Sequence, residues 1–120
     1  MGIFFDEMRN YRKVKIDANQ KPIVEYLRKL GAKVEILGDP VDLFAWLPGF
    51  AWMFLEVKVI GSQARYTRAQ LLWIANTTLP VAIVKDGDQA FNCLKNGEVV
   101  TQKQKDALTG FLLRNTEKIF

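Results

Sequence analysis

The sequence predicts an α/β fold with a central mixed sheet of four or so strands, flanked by helices on both faces. Three observations predict it. Apolar runs of strand length alternate with segments whose apolar residues recur at helical spacing. The runs in the middle of the chain are apolar at consecutive positions, which is typical of strands covered on both faces. The last predicted strand follows a helix, so it is expected to return parallel to the strand before that helix.

Composition limits the class of protein. The chain has 120 residues, 49% hydrophobic and 25% charged, which indicates one globular domain over residues 1–120. No apolar run approaches the ~20 residues of a membrane span, so no membrane partner is expected. Histidine is absent, so hydrolytic chemistry would need carboxylates, lysine and a metal. Cys93 is the single cysteine, which excludes an internal disulfide and favours the cytoplasm. The net charge of +4 is compatible with a polyanionic partner but does not demonstrate one.

The first part of the chain predicts an arm, a helix and an edge strand. Residues 1–16 form a basic N-terminal arm, either solvated or in contact with phosphates. A helix begins within Asp17–Gln20 and runs to Leu30, since its apolar residues recur on one face, and Gly31 ends it. Lys33–Leu37 alternates apolar and charged residues, which predicts a half-buried strand at an edge of the sheet.

A hairpin is predicted next. Two apolar runs, Val41–Leu47 and Ala51–Ile60, are separated by the turn dipeptide Pro48-Gly49. Its aromatic residues should be mostly core. Those at its tip are hard to bury in a domain of this size and predict a dimer contact: Trp46, Phe50 and Trp52.

Three helices and one strand are predicted after the hairpin. Thr67 and Gln70 form a capping box at the start of one helix, and Thr101 and Gln104 form another. The predicted elements are a helix from Thr67 through Ala75, a strand over Leu79–Lys85, a helix capped by Asp88 through Leu94, and a last helix over residues 101–118. Cys93 is expected to be a packed helical residue. The last helix could dock on the domain or on a second subunit.

Three charged residues interrupt the hairpin strands and define a candidate site. Side chains alternate along a strand, so Glu56 and Lys58 share a face, and pairing about the turn brings Asp42 almost opposite Glu56. Ionised groups inside apolar runs are expected to pair with each other or to hold a metal. Two carboxylates and an amine therefore predict metal-assisted hydrolysis with Mg²⁺, or with Mn²⁺. The alternative is an ordinary ion pair of Asp42 with Lys58. Asp39 competes with Asp42 as a ligand but is favoured as a turn residue.

These residues carry a resemblance to a known family. Pro40-Val41-Asp42 followed by Glu56-Val57-Lys58 resembles the PD-(D/E)xK nuclease signature, with one residue inserted between Pro and Asp. The resemblance spans about Tyr11 to Phe91. Within that superfamily, Asp17–Gln20 and Ser62–Gln70 resemble the small stand-alone VRR-type nucleases of phages, which are relatives of Holliday-junction resolvases.

The resemblance implies a restriction-endonuclease-like core and a Mg²⁺-dependent DNA endonuclease, structure-specific and often homodimeric. It implies that Asp42, Glu56 and the backbone carbonyl of Val57 hold the ion. Lys58 would orient the attacking water or stabilise the transition state, and Gln70 would face the active site, a role compatible with helix capping. The last helix, residues 101–118, lies outside the resemblance.

The family often carries a further acidic residue on its first helix, and in this sequence two residues compete for that role. Glu25 is the acid available, but at 100° per residue it points away from the apolar face, whereas Gln20 lies on it. Gln20 is therefore the candidate, as a neutral ligand or water-holder, which favours one ion over two. Ser62, Arg65 and Arg68 are either DNA-phosphate contacts or solvated surface.

Two other functions compete with the nuclease. One is a non-catalytic nucleic-acid-binding module of a phage replication or recombination complex. The other is a protein-interaction domain that uses the aromatic hairpin tip, with Asp42 and Lys58 merely paired.

Overall fold

The computed structural model of the protein describes residues 20–58 and 67–114. These residues form four strands and four helices in an α/β arrangement, which confirms the predicted fold class. In chain order the elements are α1 (Gln20–Lys29), β1 (Lys33–Ile36), β2 (Leu43–Trp46), β3 (Trp52–Val57), α2 (Arg68–Asn76), β4 (Val81–Val84), α3 (Gly87–Asn96) and α4 (Gln102–Arg114). Several predictions fall outside the described residues: the basic arm, any helix start before Gln20, the strand beyond Lys58, Ser62, Arg65 and the helix beyond Arg114.

The strands form one mixed sheet in the order β1-β2-β3-β4. β1 and β2 pair antiparallel, as do β2 and β3, whereas β3 and β4 pair parallel. The predicted edge position of β1, the hairpin and the parallel return after a helix are all confirmed. The hairpin register pairs Leu43 with Leu55 and Trp46 with Trp52.

Apolar side chains cover both faces of the sheet. On one face, Leu43, Leu55 and Val84 join the apolar residues of α1 and α3 in the larger buried cluster. On the other face, Val81 packs with Ile74 of α2 and with Leu108 of α4 in a smaller cluster. Strand residues alternate between the two clusters, as the pleat requires. The predicted helices on both faces are therefore present, and they explain why the hairpin strands are apolar throughout.

Local signals set the ends of most helices as predicted. Gly31 has φ +95° just after α1, and Gly97 has φ +68° at the end of α3, a left-handed conformation that glycine adopts without a Cβ penalty. Thr67 and Gln70 form the predicted capping box of α2. α1 ends at Lys29, one residue before the predicted Leu30.

One predicted cap is wrong. Asp86, not Asp88, caps α3, and its side chain accepts the Gln89 N–H at 2.8 Å. Asp88 lies in the first turn of the helix, where its carboxylate accepts a hydrogen bond from the Tyr26 hydroxyl of α1. Either aspartate could cap a helix beginning near Gly87, and contact with α1 decides between them.

The last helix packs on the rest of the chain. Thr101 and Gln104 cap it reciprocally, as predicted. Lys105 Nζ of α4 donates to the Thr77 carbonyl, just after α2, at 2.7 Å. Leu112 is buried, whereas the preceding Phe111 is exposed. Cys93 is buried in α3, as predicted. None of the helices in the described ranges has the length and hydropathy needed to cross a bilayer.

A matched pair of leucines tests this distribution of burial. Leu27 in α1 is fully buried, whereas Leu113 in α4 is 76% exposed. We expect Leu27→Ala to lower the free energy of unfolding by about 2–5 kcal/mol, because it removes transfer energy and leaves a cavity. Leu113→Ala should change it by no more than about 0.5 kcal/mol. Urea unfolding followed by circular dichroism measures both, and equal losses would contradict the packing described above.

Candidate functional site

Glu56 is a fully buried carboxyl group in β3. Its neighbours Leu55 and Val57 point into the larger cluster, so Glu56 points to the opposite face, beside Ile83 of β4 in the parallel register. An ionisable side chain in this position has lost its hydration and needs another source of stabilisation.

Asp42 lies at the start of β2 and contacts Glu56. Its backbone is held by the residues just after β1, because its carbonyl accepts the N–H groups of Leu37 at 2.8 Å and Gly38 at 3.3 Å. Its own N–H donates to Glu56 Oε1 at 3.2 Å. The predicted approach of these two acidic residues is therefore observed, with a backbone donor as the direct link.

The Asp42 carboxylate is held by two donors. Val57 N–H donates to Oδ2 at 2.7 Å, and Gln20 Nε2 of α1 donates to Oδ1 at 2.8 Å. Gln20 is buried on the apolar face of α1, as predicted, while Glu25 is exposed. Gln20 was predicted to be a ligand or water-holder, and the contact observed for it is a hydrogen bond to the carboxylate of Asp42.

Lys58 completes the group. It follows β3, and its Nζ lies 3.3 Å from Glu56 Oε2, with the lysine side chain 19% exposed and the glutamate side chain 0% exposed. The alternative ion pair predicted from the sequence was Asp42 with Lys58, and the observed partner is Glu56. Among the described residues, Glu56 Oε2 accepts no hydrogen bond.

The surroundings change the acidity of Glu56. Burial is the main cause, and hydrogen bonding of the protonated Glu56 carboxyl to the Asp42 side chain and the charge of Asp42 add to it, so that the pKa of Glu56 rises from 4.5 to about 8. The nearby Lys58 ammonium lowers the pKa but only partly offsets the other two effects. Glu56 is therefore mostly protonated at neutral pH unless a further positive charge approaches, and its contact with Lys58 is then not a full ion pair.

The oxygen atoms of this group are suitable for a hard divalent cation. Each carboxylate oxygen has two lone pairs, so the single hydrogen bonds to Asp42 Oδ1 and Oδ2 leave acceptor capacity. The N–H and C=O of a strand residue point to the same side, so the Val57 carbonyl is directed to the Asp42 side of β3. The described residues contain no group of three or more His, Cys, Asp or Glu side chains that could hold a metal. Two carboxylates, a carbonyl and water are the ligand set of a Mg²⁺ site that keeps part of its hydration shell.

Other predicted site residues lie elsewhere or outside the described residues. The Gln70 side chain accepts the Thr67 N–H at 3.0 Å, which is its capping contact. Arg68 is the first residue of α2 and is half-buried. Asp39 is exposed in the turn before Pro40. Ser62 and Arg65 lie in the part of the chain that is not described.

Sequence reasoning missed two features. The first is the Val57 N–H, which holds the Asp42 carboxylate, whereas only the Val57 carbonyl had been assigned a role. The position of Val57 at the end of an apolar strand, beside an acidic residue, could have indicated this hydrogen bond. Sequence reasoning also gave no indication of a cavity of about 400 Å³ between β4, residues 98–100 and α4. Cys93 and Glu98 line this cavity, and none of the predicted site residues does.

Comparison of the chain with protein-family models, with curated proteins and with solved structures finds no match.

The raised pKa of Glu56 predicts how stability depends on pH without metal. Between its ordinary pKa of 4.5 and its folded value of about 8, the folded chain binds a proton that the unfolded chain has released. The free energy of unfolding should therefore fall as pH rises across this interval, by up to about 1.4 kcal/mol per pH unit, and level off above it. Glu56→Gln should remove this fall, because the amide cannot ionise.

Urea unfolding in EDTA at several pH values measures this effect. Glu25→Gln is the matched control, since Glu25 is exposed on α1. It should keep the wild-type slope. A wild-type stability that is flat or rising over the interval would show that Glu56 is not protonated in the folded chain.

Proposed function

We propose that this protein is a metal-dependent DNA endonuclease of the PD-(D/E)xK type that hydrolyses phosphodiester bonds. The observation that carries the proposal is the contact between the partly buried Asp42 and the fully buried Glu56, with Lys58 at 3.3 Å from Glu56. A pair of acids in contact, without histidine, favours hard-cation chemistry over zinc chemistry or nucleophilic catalysis. The spacing of these residues along the chain resembles the nuclease signature.

The proposed metal ligands are Asp42, Glu56 and the backbone carbonyl of Val57. A bound Mg²⁺ or Mn²⁺ supplies polarisation of the phosphoryl group and a nucleophilic water at neutral pH. The chain fits such an ion because Glu56 Oε2 is buried and, with Lys58 Nζ at 3.3 Å, keeps lone-pair capacity for a cation. A cation at this point would also favour the ionised form of Glu56, which burial disfavours.

The remaining residues have separate tasks in this proposal. Gln20 and the Val57 N–H hold the Asp42 carboxylate in one orientation, so ligand geometry is set before substrate arrives. The Lys58 ammonium orients the attacking water or stabilises charge on the phosphate in the transition state. Ser62, Arg65 and Arg68 would contact DNA phosphates, and Gln70 would face the reacting phosphate. With Gln20 in place of an acid, a single ion is favoured.

The proposal extends to the biological setting. A small phage nuclease related to Holliday-junction resolvases would act on branched DNA in the host cytoplasm, where the single thiol of Cys93 stays reduced. A homodimer would allow two strands to be cut. These points rest on the resemblance of the motifs.

Removal of either acidic ligand should abolish cleavage. We expect Asp42→Asn and Glu56→Gln to lower the cleavage rate by at least about 100-fold, because the metal contributes several kcal/mol to the transition state. The assay uses labelled four-way junction, flap, nicked and linear duplex DNA, with Mg²⁺, with Mn²⁺ or with EDTA. Glu25→Gln, on the exposed face of α1, is the matched control and should cut like the wild type.

Two results would favour a non-catalytic module instead. The wild type would bind DNA equally well in EDTA and cut none of the substrates with either metal. In addition, Glu56→Gln would leave DNA affinity unchanged.

Lys58 should affect catalysis more than metal binding. We expect Lys58→Met to lower the single-turnover cleavage rate by about 10²–10³-fold at saturating Mg²⁺, because a positive charge is lost at the reacting phosphate. The Mg²⁺ concentration for half-maximal rate should change far less. Lys85→Met is the matched control, since Lys85 follows β4 as Lys58 follows β3 but its side chain is exposed. An unchanged rate in Lys58→Met would remove this residue from the mechanism.

A further inference from the structure

The tip of the β2–β3 hairpin carries three large aromatic side chains exposed to solvent. We call Trp46, Phe50 and Trp52 the aromatic tip, and they are 44%, 57% and 44% exposed. Trp46 and Trp52 are direct cross-strand partners. Phe50 lies in the turn that joins the two strands, where its N–H donates to the Leu47 carbonyl at 2.8 Å. Clustered exposed rings of this size indicate a binding surface, whereas single exposed apolar residues do not.

The exposed tip and the buried Glu56 lie on the same face of the sheet. Along β3, the side chains of Trp52, Phe54 and Glu56 point to the same face of the sheet. Phe44 of β2 links them, with ring centroids 5.9 Å from Trp52 and 5.3 Å from Phe54. The four steps along the strand from Trp52 to Glu56 span about 13 Å, which is the length of about four stacked nucleotides.

A positive charge beside the tip is complementary to a polyanion. Lys33 of β1 is the cross-strand partner of Trp46, so it lies on the same face, and it is exposed. Glu35 shares the face of Lys33 but pairs with Phe44, one row closer to Glu56. Lys33 is therefore at the outer end of the surface.

We propose that the aromatic tip binds unpaired DNA bases by stacking, with Lys33 beside the phosphates, and so holds single-stranded nucleotides on the face of the sheet that carries the carboxylate pair. This inference rests on the proposed nuclease function and names its substrate class: DNA with an unpaired stretch next to the cleaved bond. Flat aromatic rings beside an ammonium group match the two parts of a nucleotide, its base and its phosphate, without sequence preference. An aliphatic surface would match only an apolar partner.

The binding experiment is done in EDTA, so that it does not depend on cleavage. Fluorescence anisotropy compares a labelled single-stranded oligodeoxynucleotide, the same strand with abasic positions, and the duplex. We expect the wild type to bind the single strand best and the abasic strand at least about tenfold more weakly, because the abasic strand keeps the phosphates and loses the stacking.

Variants of the tip separate stacking from general charge. The double variant Trp46→Leu, Trp52→Leu should bind the single strand at least about tenfold more weakly. Trp46→Phe with Trp52→Phe should keep most of the affinity, because the rings are retained. Leu113→Ala, at an exposed apolar position of α4, is the control and should bind like the wild type. Thermal unfolding checks the fold of each variant, and the abasic comparison needs only the wild-type chain.

Each outcome has a separate meaning. If the wild type cuts DNA but binds abasic and normal strands equally, the inference fails and the nuclease proposal stands. If the wild type cuts no DNA with Mg²⁺ or Mn²⁺ while stacking-dependent binding persists, the nuclease proposal fails. If the leucine variants only convert a dimer to a monomer in sedimentation and keep their DNA affinity, the tip is an interface between copies and the inference is overturned.

Discussion

The hydrogen bond from the Val57 N–H to the Asp42 carboxylate, 2.7 Å long, is the interaction on which the site depends. β2 begins at Leu43, which pairs with Leu55, so β2 supplies no regular ladder partner to the residues of β3 after Leu55. A buried backbone N–H needs an acceptor, and the Asp42 side chain provides it. The same carboxylate accepts from Gln20 of α1. One side chain therefore joins the first helix, the start of β2 and the end of β3. Because Glu56 precedes Val57 in β3, this hydrogen bond also places Glu56 next to Asp42.

The acidity of the site is a consequence of this arrangement. Asp42 has two hydrogen-bond donors on its carboxylate, whereas Glu56 has the Asp42 N–H and a lysine that counteracts burial only in part. Two neighbouring acids in a dry environment are most stable when one of them is neutral. The low local dielectric that raises the pKa of Glu56 would also strengthen its attraction to a cation. An apolar sheet thus keeps Glu56 largely uncharged unless a further positive charge lies beside it.

The two faces of the sheet are covered differently, so that residues on one face of β3 are buried at one end of the strand and exposed at the other. α1 and α3 pack over one face. On the other face, the apolar residues of α2 and α4 pack against β4 and Phe54, with Phe54 and Trp73 in edge contact at 5.3 Å. Glu56 is buried on that face, while Trp52, four residues earlier, is 44% exposed. The hairpin therefore extends beyond the helices that cover its base, and its aromatic end remains open to a partner.

Local sequence was sufficient for the elements and for much of the site. Apolar periodicity and turn residues predicted the hairpin, the edge strand and most helix ends, because these depend on backbone preferences within a few residues. Glu56 and Lys58 could be assigned to one face because side chains alternate along any strand. Gln20 could be placed on the apolar face of α1 by the same kind of periodicity.

Contacts between distant segments decided the rest. The choice of Asp86 over Asp88 as the cap of α3 accompanies the contact of Asp88 with Tyr26, 62 residues earlier. Lys58 lies 3.3 Å from Glu56, while Gln20 and Val57 of distant segments donate to the Asp42 carboxylate. The pKa of Glu56 depends on how completely the packed sheet removes it from water. Residue types and periods are properties of the sequence, whereas desolvation and hydrogen-bond competition exist only once the chain has packed.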